Sequence, residues 1–327
     1  LTDNQIEKLP AEMGQLHRLQ KCMLAGNKLS ELPESMKDCR SLELLRLSAN
    51  KLTALPDFLF DLPRLSWLTF AGNPFHKPFE IDAPFPTFER HQIRTLETLG
   101  EGASGVISRA EWTNAAPAAL IAQTDIAYKA YKGDVTSDGF VADEMDASLA
   151  AGSHPNLISI IARNHPADPP GLLMSLIPSD FKNLGLPPSF ESCTRDVFPK
   201  DQSLSPIVAL KIARAIADVM RHLNAHGIAH NDLYAHNILY TESGDTLLTD
   251  FGAAANIASL PAQQQDGIEK LEIRAFGYLL EDLIGLVPDA DKAAPETVLL
   301  SEIKASCLHT NPAARPTFAE LPQLLGN

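Results

Sequence analysis

The opening 75 residues repeat at a fixed interval, and that interval limits what they can fold into. "LTDNQIEKLP" at 1–10 returns as "LAGNKLSELP" at 24–33, as "LSANKLTALP" at 47–56 and in part as "FAGNPF" at 70–75, each time after 23 residues. The apolar positions upstream keep the same register: Leu19, Cys22 and Leu24 align with Leu42, Leu45 and Leu47, then with Leu65, Leu68 and Phe70. A unit this short cannot bury its own apolar side, so units must stack into one continuous core. Each unit predicts a short strand with inward apolar side chains. It also predicts a buried Asn that satisfies main-chain groups at the turn, which an apolar residue could not do. Asn4, Asn27, Asn50 and Asn73 are therefore structural. Gln20, Lys21, Glu43, Arg46, Ser66 and Thr69 are expected on an exposed, concave strand face, a surface suited to a protein partner. The chain opens in mid-repeat, so further units are expected upstream.

The pattern ends in "NPFHKPFEIDAPFPTFE", where Pro74, Pro78, Pro84 and Pro86 fall close together. Proline removes donors and stiffens the chain, so 76–89 is predicted as a linker. Beyond it the periodicity changes. "RTLETLGEGASGVISRAEW" predicts two strands joined by a glycine turn, and "TDIAYKAYKG" another strand. Ile207, Leu210, Ala213, Ile216, Met220 and Leu223 stand at helical spacing, closed by Gly227. "DTLLTDFG" predicts a strand, while "IRAFGYLLEDLIGLV" and "FAELPQLLGN" predict helices. Strands first and helices afterwards indicate an α+β domain over 90–327. The first 80 residues carry equal numbers of acidic and basic side chains, so the whole net charge of −14 falls on the remainder. That argues against a nucleic-acid or anionic-membrane surface. The four cysteines form no CxxC pair. They predict free thiols in a reducing, cytoplasmic compartment. No apolar run reaches the ~18 residues of a membrane span.

The chemistry lies in five motifs. "GEGASGV" at 100–106 places Gly100, Gly102 and Gly105 where a backbone can approach phosphates without Cβ clashes, with Val106 following. Lys129 lies on the strand predicted over "TDIAYKAYKG", and Glu144 on a predicted helix, placed to hold it. "HNDLYAHNIL" at 230–239 carries Asp232 and Asn237, and "TDFG" carries Asp250. A carboxylate that accepts a hydroxyl proton, with an Asn and a second Asp as hard oxygen ligands, is what phosphoryl transfer to an alcohol requires. Singly, each motif is ordinary: glycine hairpins, strand lysines and surface glutamates are common. Their occurrence once each, in order, is the specific signal.

On these motifs residues 90–325 resemble the protein kinase family, and "NPAARPTF" at 311–318 resembles its closing motif. The L-x-x-L-x-L-x-x-N register of 1–75 resembles the leucine-rich repeat family. The resemblances imply an N-terminal α/β repeat solenoid followed by a two-lobed α+β kinase fold, with lobes at about 90–174 and 178–327. They imply a protein kinase using ATP and Mg²⁺ or Mn²⁺, with serine or threonine ahead of tyrosine as acceptor. The implied roles follow the matched positions. Val106 and Ala127 pack on adenine. Met174 guards the hinge, and the backbone of Ser175 and Ile177 meets the adenine edge. Lys129, oriented by Glu144, contacts the phosphates. Asp232 is the base, Asn237 and Asp250 hold metal, and His230 is a scaffold residue. Arg315 stands where the family makes a structural ion pair.

Four departures accompany the match. Asn231 replaces the Arg before the base, which implies independence from activation-loop phosphorylation. The segment after Asp250 is short and lacks A-P-E, so its peptide platform is reduced. Glu272 stands where the family has Asp. Tyr234 replaces a phosphate-facing Lys, and His236, four residues after Asp232, is expected to supply that charge with Tyr234 donating a hydrogen bond nearby. Two alternatives use the same residues: a nucleotide-binding pseudokinase scaffold and a small-molecule kinase.

Overall fold

The computed structural model describes residues 1–81, 85–102, 104–133 and 139–326; Pro84 of the linker lies outside them. The 23-residue interval becomes a small parallel sheet of β1 (Lys21–Met23), β2 (Leu44–Arg46) and β3 (Trp67–Thr69), in which Lys21 pairs with Leu44 and Leu44 with Trp67. The chain returns through 3₁₀ turns at Ala11–Gln15, Glu34–Asp38 and Asp57–Asp61, and no α-helix forms among these units. Asparagines stitch the units together. Asn50 Nδ2 donates to Leu24 O of the preceding unit (2.9 Å) and to Leu47 O of its own (3.0 Å), and its Oδ1 accepts from Leu29 N (3.0 Å). Asn73 repeats this pattern one unit later with Leu47, Phe70 and Leu52. Asn4 differs: it is exposed, and its Nδ2 donates to Leu1 O (3.2 Å) and Thr2 O (2.9 Å).

A six-stranded sheet follows, built from β4 (Thr87–Phe88), β5 (Ile93–Glu101), β6 (Gly105–Trp112), β7 (Ile126–Tyr131), β8 (Ile160–Asn164) and β9 (Gly171–Ser175) in the order β4-β8-β9-β7-β6-β5. Helix α1 (Val141–Ala150) accompanies it. The remainder is mainly helical: α2 (Pro206–Ala225), α3 (Ala262–Leu286), α4 (Pro295–Cys307) and the single turn α5 (Leu321–Leu324). Ser205 caps α2, its Oγ accepting from Val208 N at 3.3 Å, with Pro206 at the first helical position. Gly227, at φ +69°, ends it as the left-handed residue that glycine best supplies. Helix α3 starts well before the predicted segment. "FAELPQLLGN" gives only α5, because Phe318 turns into the core first.

The repeats are fused to the helical part rather than tethered to it. Their leucine core continues into Ala229, Ala255, Ile257, Leu260, Ile268 and Leu271. Leu44 and Trp67 join the core around α2. A Cβ on Gly267 of α3 would lie 2.6 Å from the Phe60 ring, so these elements touch at main-chain distance. The strand face predicted to be exposed is therefore covered: Glu43, Arg46, Ser66 and Thr69 retain at most 5% of their surface, while Gln20 and Lys21 at its rim stay exposed. Apolar burial, at roughly 1.5–3 kcal/mol per large side chain, outweighs the ~0–1 kcal/mol of an exposed ion pair as the cause. The described linker residues also dock: His76 Nε2 accepts from Asn256 N (3.1 Å), Asn256 Nδ2 donates to Pro78 O (3.1 Å), and Phe79 packs on the α2 core.

Candidate active site

A cleft of about 620 Å³ opens between the six-stranded sheet and the helical part. Gly100, Gly102 and Gly105 line its roof. A Cβ on Gly105 would meet Ala130 O at 2.4 Å, so packing alone demands glycine there. At Gly100 and Gly102 a Cβ would meet nothing within 4 Å, so the protein itself does not require glycine at either position. That open space is what a phosphate-bearing ligand needs. Ala127, Met174, Ser175 and Ile177 line the wall, as expected. Val106 does not. The strand's two-residue period turns it away and presents Ile107 to the cleft instead, one residue later than predicted.

Lys129 on β7 forms an ion pair with Glu144 on α1. Burial pushes the Glu144 carboxyl up, against the opposing pull of Lys129. The Lys129 ammonium also sits 4.9 Å from the Tyr131 ring centroid. Both Lys129 and Glu144 line the cleft.

The floor is the loop His230–Asn237. Its main chain hangs on Glu272 of α3, whose Oε1 accepts from His230 N (2.8 Å) and Asn231 N (2.9 Å). Burial drives the Glu272 carboxyl up to about 8. Asn231 takes a left-handed conformation, φ +62°, which Asn tolerates better than most residues. His230 is fully buried, its Nε2 on Thr249 O (3.1 Å) and its Nδ1 accepting from Asp232 N (3.3 Å), and burial lowers its pKa. Asn237 Nδ2 donates to Asp232 O and Oδ2, both at 2.9 Å, which leaves its amide oxygen as the end able to serve a cation. Asp250, also left-handed at φ +59°, accepts from Gly252 N (2.9 Å) and is exposed. Asn237, Asp250 and His236 all line the cleft. Two hard oxygen donors suit Mg²⁺, which ordinarily completes its shell with phosphate and water. No cluster of three or more His, Cys, Asp or Glu that could form an all-protein metal cage exists among the described residues.

The base end differs from the prediction. Asp232 Oδ1 accepts from Arg46 Nη2 of β2 at 2.5 Å, and Asp232 is 9% exposed and absent from the cleft lining. Burial opposes ionisation of Asp232, but Arg46, His236 and His230 together hold its carboxyl below the usual range. Tyr234 does not face a phosphate. It stacks under Trp67 at 4.3 Å and 9°, and its hydroxyl has no hydrogen-bond partner among the described residues. His236 is tied to Asp196, its N donating to Oδ2 (2.9 Å) and its Nδ1 lying 2.7 Å from Oδ1. Burial pulls the imidazole pKa down, but Asp196, Asp232 and Asp250 raise it overall, which favours the charged form. Arg315 makes no ion pair among the described residues. It donates to the carbonyls of Lys270 (2.8 Å), His309 (2.9 Å) and, in the repeats, Pro63 (3.5 Å), while burial lowers its pKa to about 10. Arg46, Trp67, Asp196 and Ile107 were not foreseen. Of these only Trp67 carried a signal, as a large aromatic at an outward strand position.

A family profile described as protein tyrosine and serine/threonine kinase matches residues 93–276. Fibroblast growth factor receptor 1 of Pleurodeles waltl is 23% identical over 306 residues, covering 79% of this chain and 38% of the receptor. The tyrosine kinase receptor Cad96Ca of Drosophila melanogaster is 23% identical over 284 residues, covering 73% and 36%. The serine/threonine-protein kinase PrkC of Bacillus subtilis is 25% identical over 262 residues, also covering 73% and 36%. The chain thus spans 36–38% of the length of these three curated relatives. No helix among the described residues is long and apolar enough to cross a membrane.

Proposed function

Because the chain belongs to the protein tyrosine and serine/threonine kinase family, we propose that it is a working ATP-dependent protein kinase whose N-terminal units are leucine-rich repeats. The observation that carries this reading is the gathering of Lys129, Glu144, Asn237 and Asp250 around one cleft, with Asp232 hydrogen-bonded to Asn237. Lys129, oriented by Glu144, binds the phosphates under the glycine loop. Asn237 and Asp250 hold Mg²⁺ or Mn²⁺, which when bound neutralises phosphate charge. Asp232 accepts the proton of the acceptor hydroxyl. We place serine and threonine ahead of tyrosine as acceptors. We further propose that a protein partner docks at the repeats' exposed rim, beside Gln20 and Lys21. The four free thiols fit a cytoplasmic setting.

The low exposure of Asp232 supports a second reading, a nucleotide-binding scaffold without transfer. Incubation with labelled ATP and Mg²⁺ or Mn²⁺ separates the two. Labelled protein or peptide is the expected result. ATP binding with no label transferred to any acceptor would contradict the kinase reading.

A further inference from the structure

The base end of the site has a cation from outside the kinase loop. Tyr234, two residues after Asp232, is 5% exposed and roofed by Trp67, so it cannot meet a phosphate. His236 is held by Asp196 through both its main-chain N and its ring. Arg46 reaches in from the repeats. Its Nη2 is 2.5 Å from Asp232 Oδ1, while Asn237 Nδ2 holds Oδ2 at 2.9 Å. The approach is anchored one strand over, where Trp67 Nε1 donates to Leu233 O at 3.1 Å. Burying a guanidinium is costly unless it is well paired. If this interface served only to join the two parts, an apolar residue at position 46 would do so at lower cost. Here the guanidinium is instead paired with the proposed base.

Resting on the protein kinase reading, we propose that Arg46 is a positioning residue of the transfer site: it pins the Asp232 carboxylate from the repeats. A carboxylate offers about four lone-pair sites, so Arg46 and Asn237 leave roughly two for the acceptor hydroxyl. The pair opens on the side of the base, since the Asp232 side chain keeps 13% of its surface and Arg46 only 6%. In the transfer, the hydroxyl oxygen bonds the γ-phosphorus of ATP while its proton passes to Asp232. The bond from that phosphorus to the β,γ-bridging oxygen breaks, and its electron pair leaves on ADP. Arg46 acts on this step through the orientation of Asp232.

The test uses the full chain with γ-labelled ATP, Mg²⁺ and a random peptide library containing Ser, Thr and Tyr. Arg46→Ala and Arg46→Gln should lower kcat by roughly ten- to a hundred-fold. KM for ATP and calorimetric ATP affinity should stay within about two-fold, because Arg46 does not line the nucleotide cleft. Arg46→Lys, and millimolar guanidinium added to Arg46→Ala, should each recover part of the rate, which a purely structural role would not allow. If Arg46→Ala fails to fold, Arg46→Gln decides. Transfer by folded variants at or above the wild-type rate overturns the proposal alone and makes Arg46 a cover over the base. A wild-type chain that binds ATP but labels no acceptor overturns the kinase reading and this proposal together.

Discussion

The two ends of the site are built differently. The nucleotide end draws its named residues from the sheet, helix α1, the loop His230–Asn237 and the segment at Asp250, none of them from the repeats, and it is open, with a cleft of about 620 Å³. The base end is shared between two parts of the chain. Arg46 and Trp67 come from the repeats, and Asp232 and Tyr234 from the loop, and little of any of them reaches solvent. The contrast teaches how a short activation segment is accommodated. In this fold the repeats lie against the loop. They cover Ala255, Ile257 and Leu260 of the segment after Asp250, and they offer the Pro63 carbonyl to Arg315. The repeats are thus a wall of the catalytic region, and of their strand face the rim at Gln20 and Lys21 stays exposed.

The largest effect expected is at the nucleotide end. Lys129→Ala or Asp250→Ala should reduce transfer by at least about a hundred-fold with an unchanged melting temperature, since these groups act on phosphate charge rather than on the core. Wild-type turnover in either variant would break the assignment. At the shared end the expected loss is stability. Trp67→Ala removes a buried indole stacked on Tyr234 and should cost roughly 3–5 kcal/mol in denaturant unfolding. A cost below about 1 kcal/mol would mean that the interface is loosely held. Asn50→Ala, within the repeats, deletes the bonds to Leu24, Leu47 and Leu29 and should cost about 1–3 kcal/mol by the same measurement.

The remaining effect is a pH dependence. The Glu272 carboxyl ionises near 4.5 in an unfolded chain but only near about 8 in the fold. Folding therefore takes up a proton between those values, and the stabilisation linked to that proton is lost as pH rises through the window. Glu272→Gln removes the linkage, so its melting temperature relative to wild type should improve from about pH 5 to about pH 8. A constant difference across that range would show that Glu272 does not titrate there.

Much of this was legible from local pattern. The 23-residue interval foretold a short strand in each stacked unit, and the order of glycines, Lys129, Glu144, Asn237 and Asp250 foretold residues that line one cleft, while Asp232 lies outside that lining, hydrogen-bonded to Asn237. Val106 was misplaced by a single residue, because strand periodicity turns a one-residue slip into the opposite face. The covering of Glu43, Arg46, Ser66 and Thr69 was not legible. Alternating polar residues on a strand look the same whether water or a second domain lies above them, and the Arg46–Asp232 contact joins positions 186 residues apart. Asp196 was equally silent, since a lone carboxylate in a loop carries no spacing to read.

The central claim, that the repeats and the kinase part share one core, is tested most directly by calorimetric unfolding of the full chain beside the segment 90–327. The account predicts one cooperative transition for the full chain. The segment, with Ala255, Ile257, Ile268 and Leu271 stripped of their cover, should melt at a markedly lower temperature or fail to fold. Two separate transitions in the full chain, one matching the melting temperature of an intact segment 90–327, would contradict it.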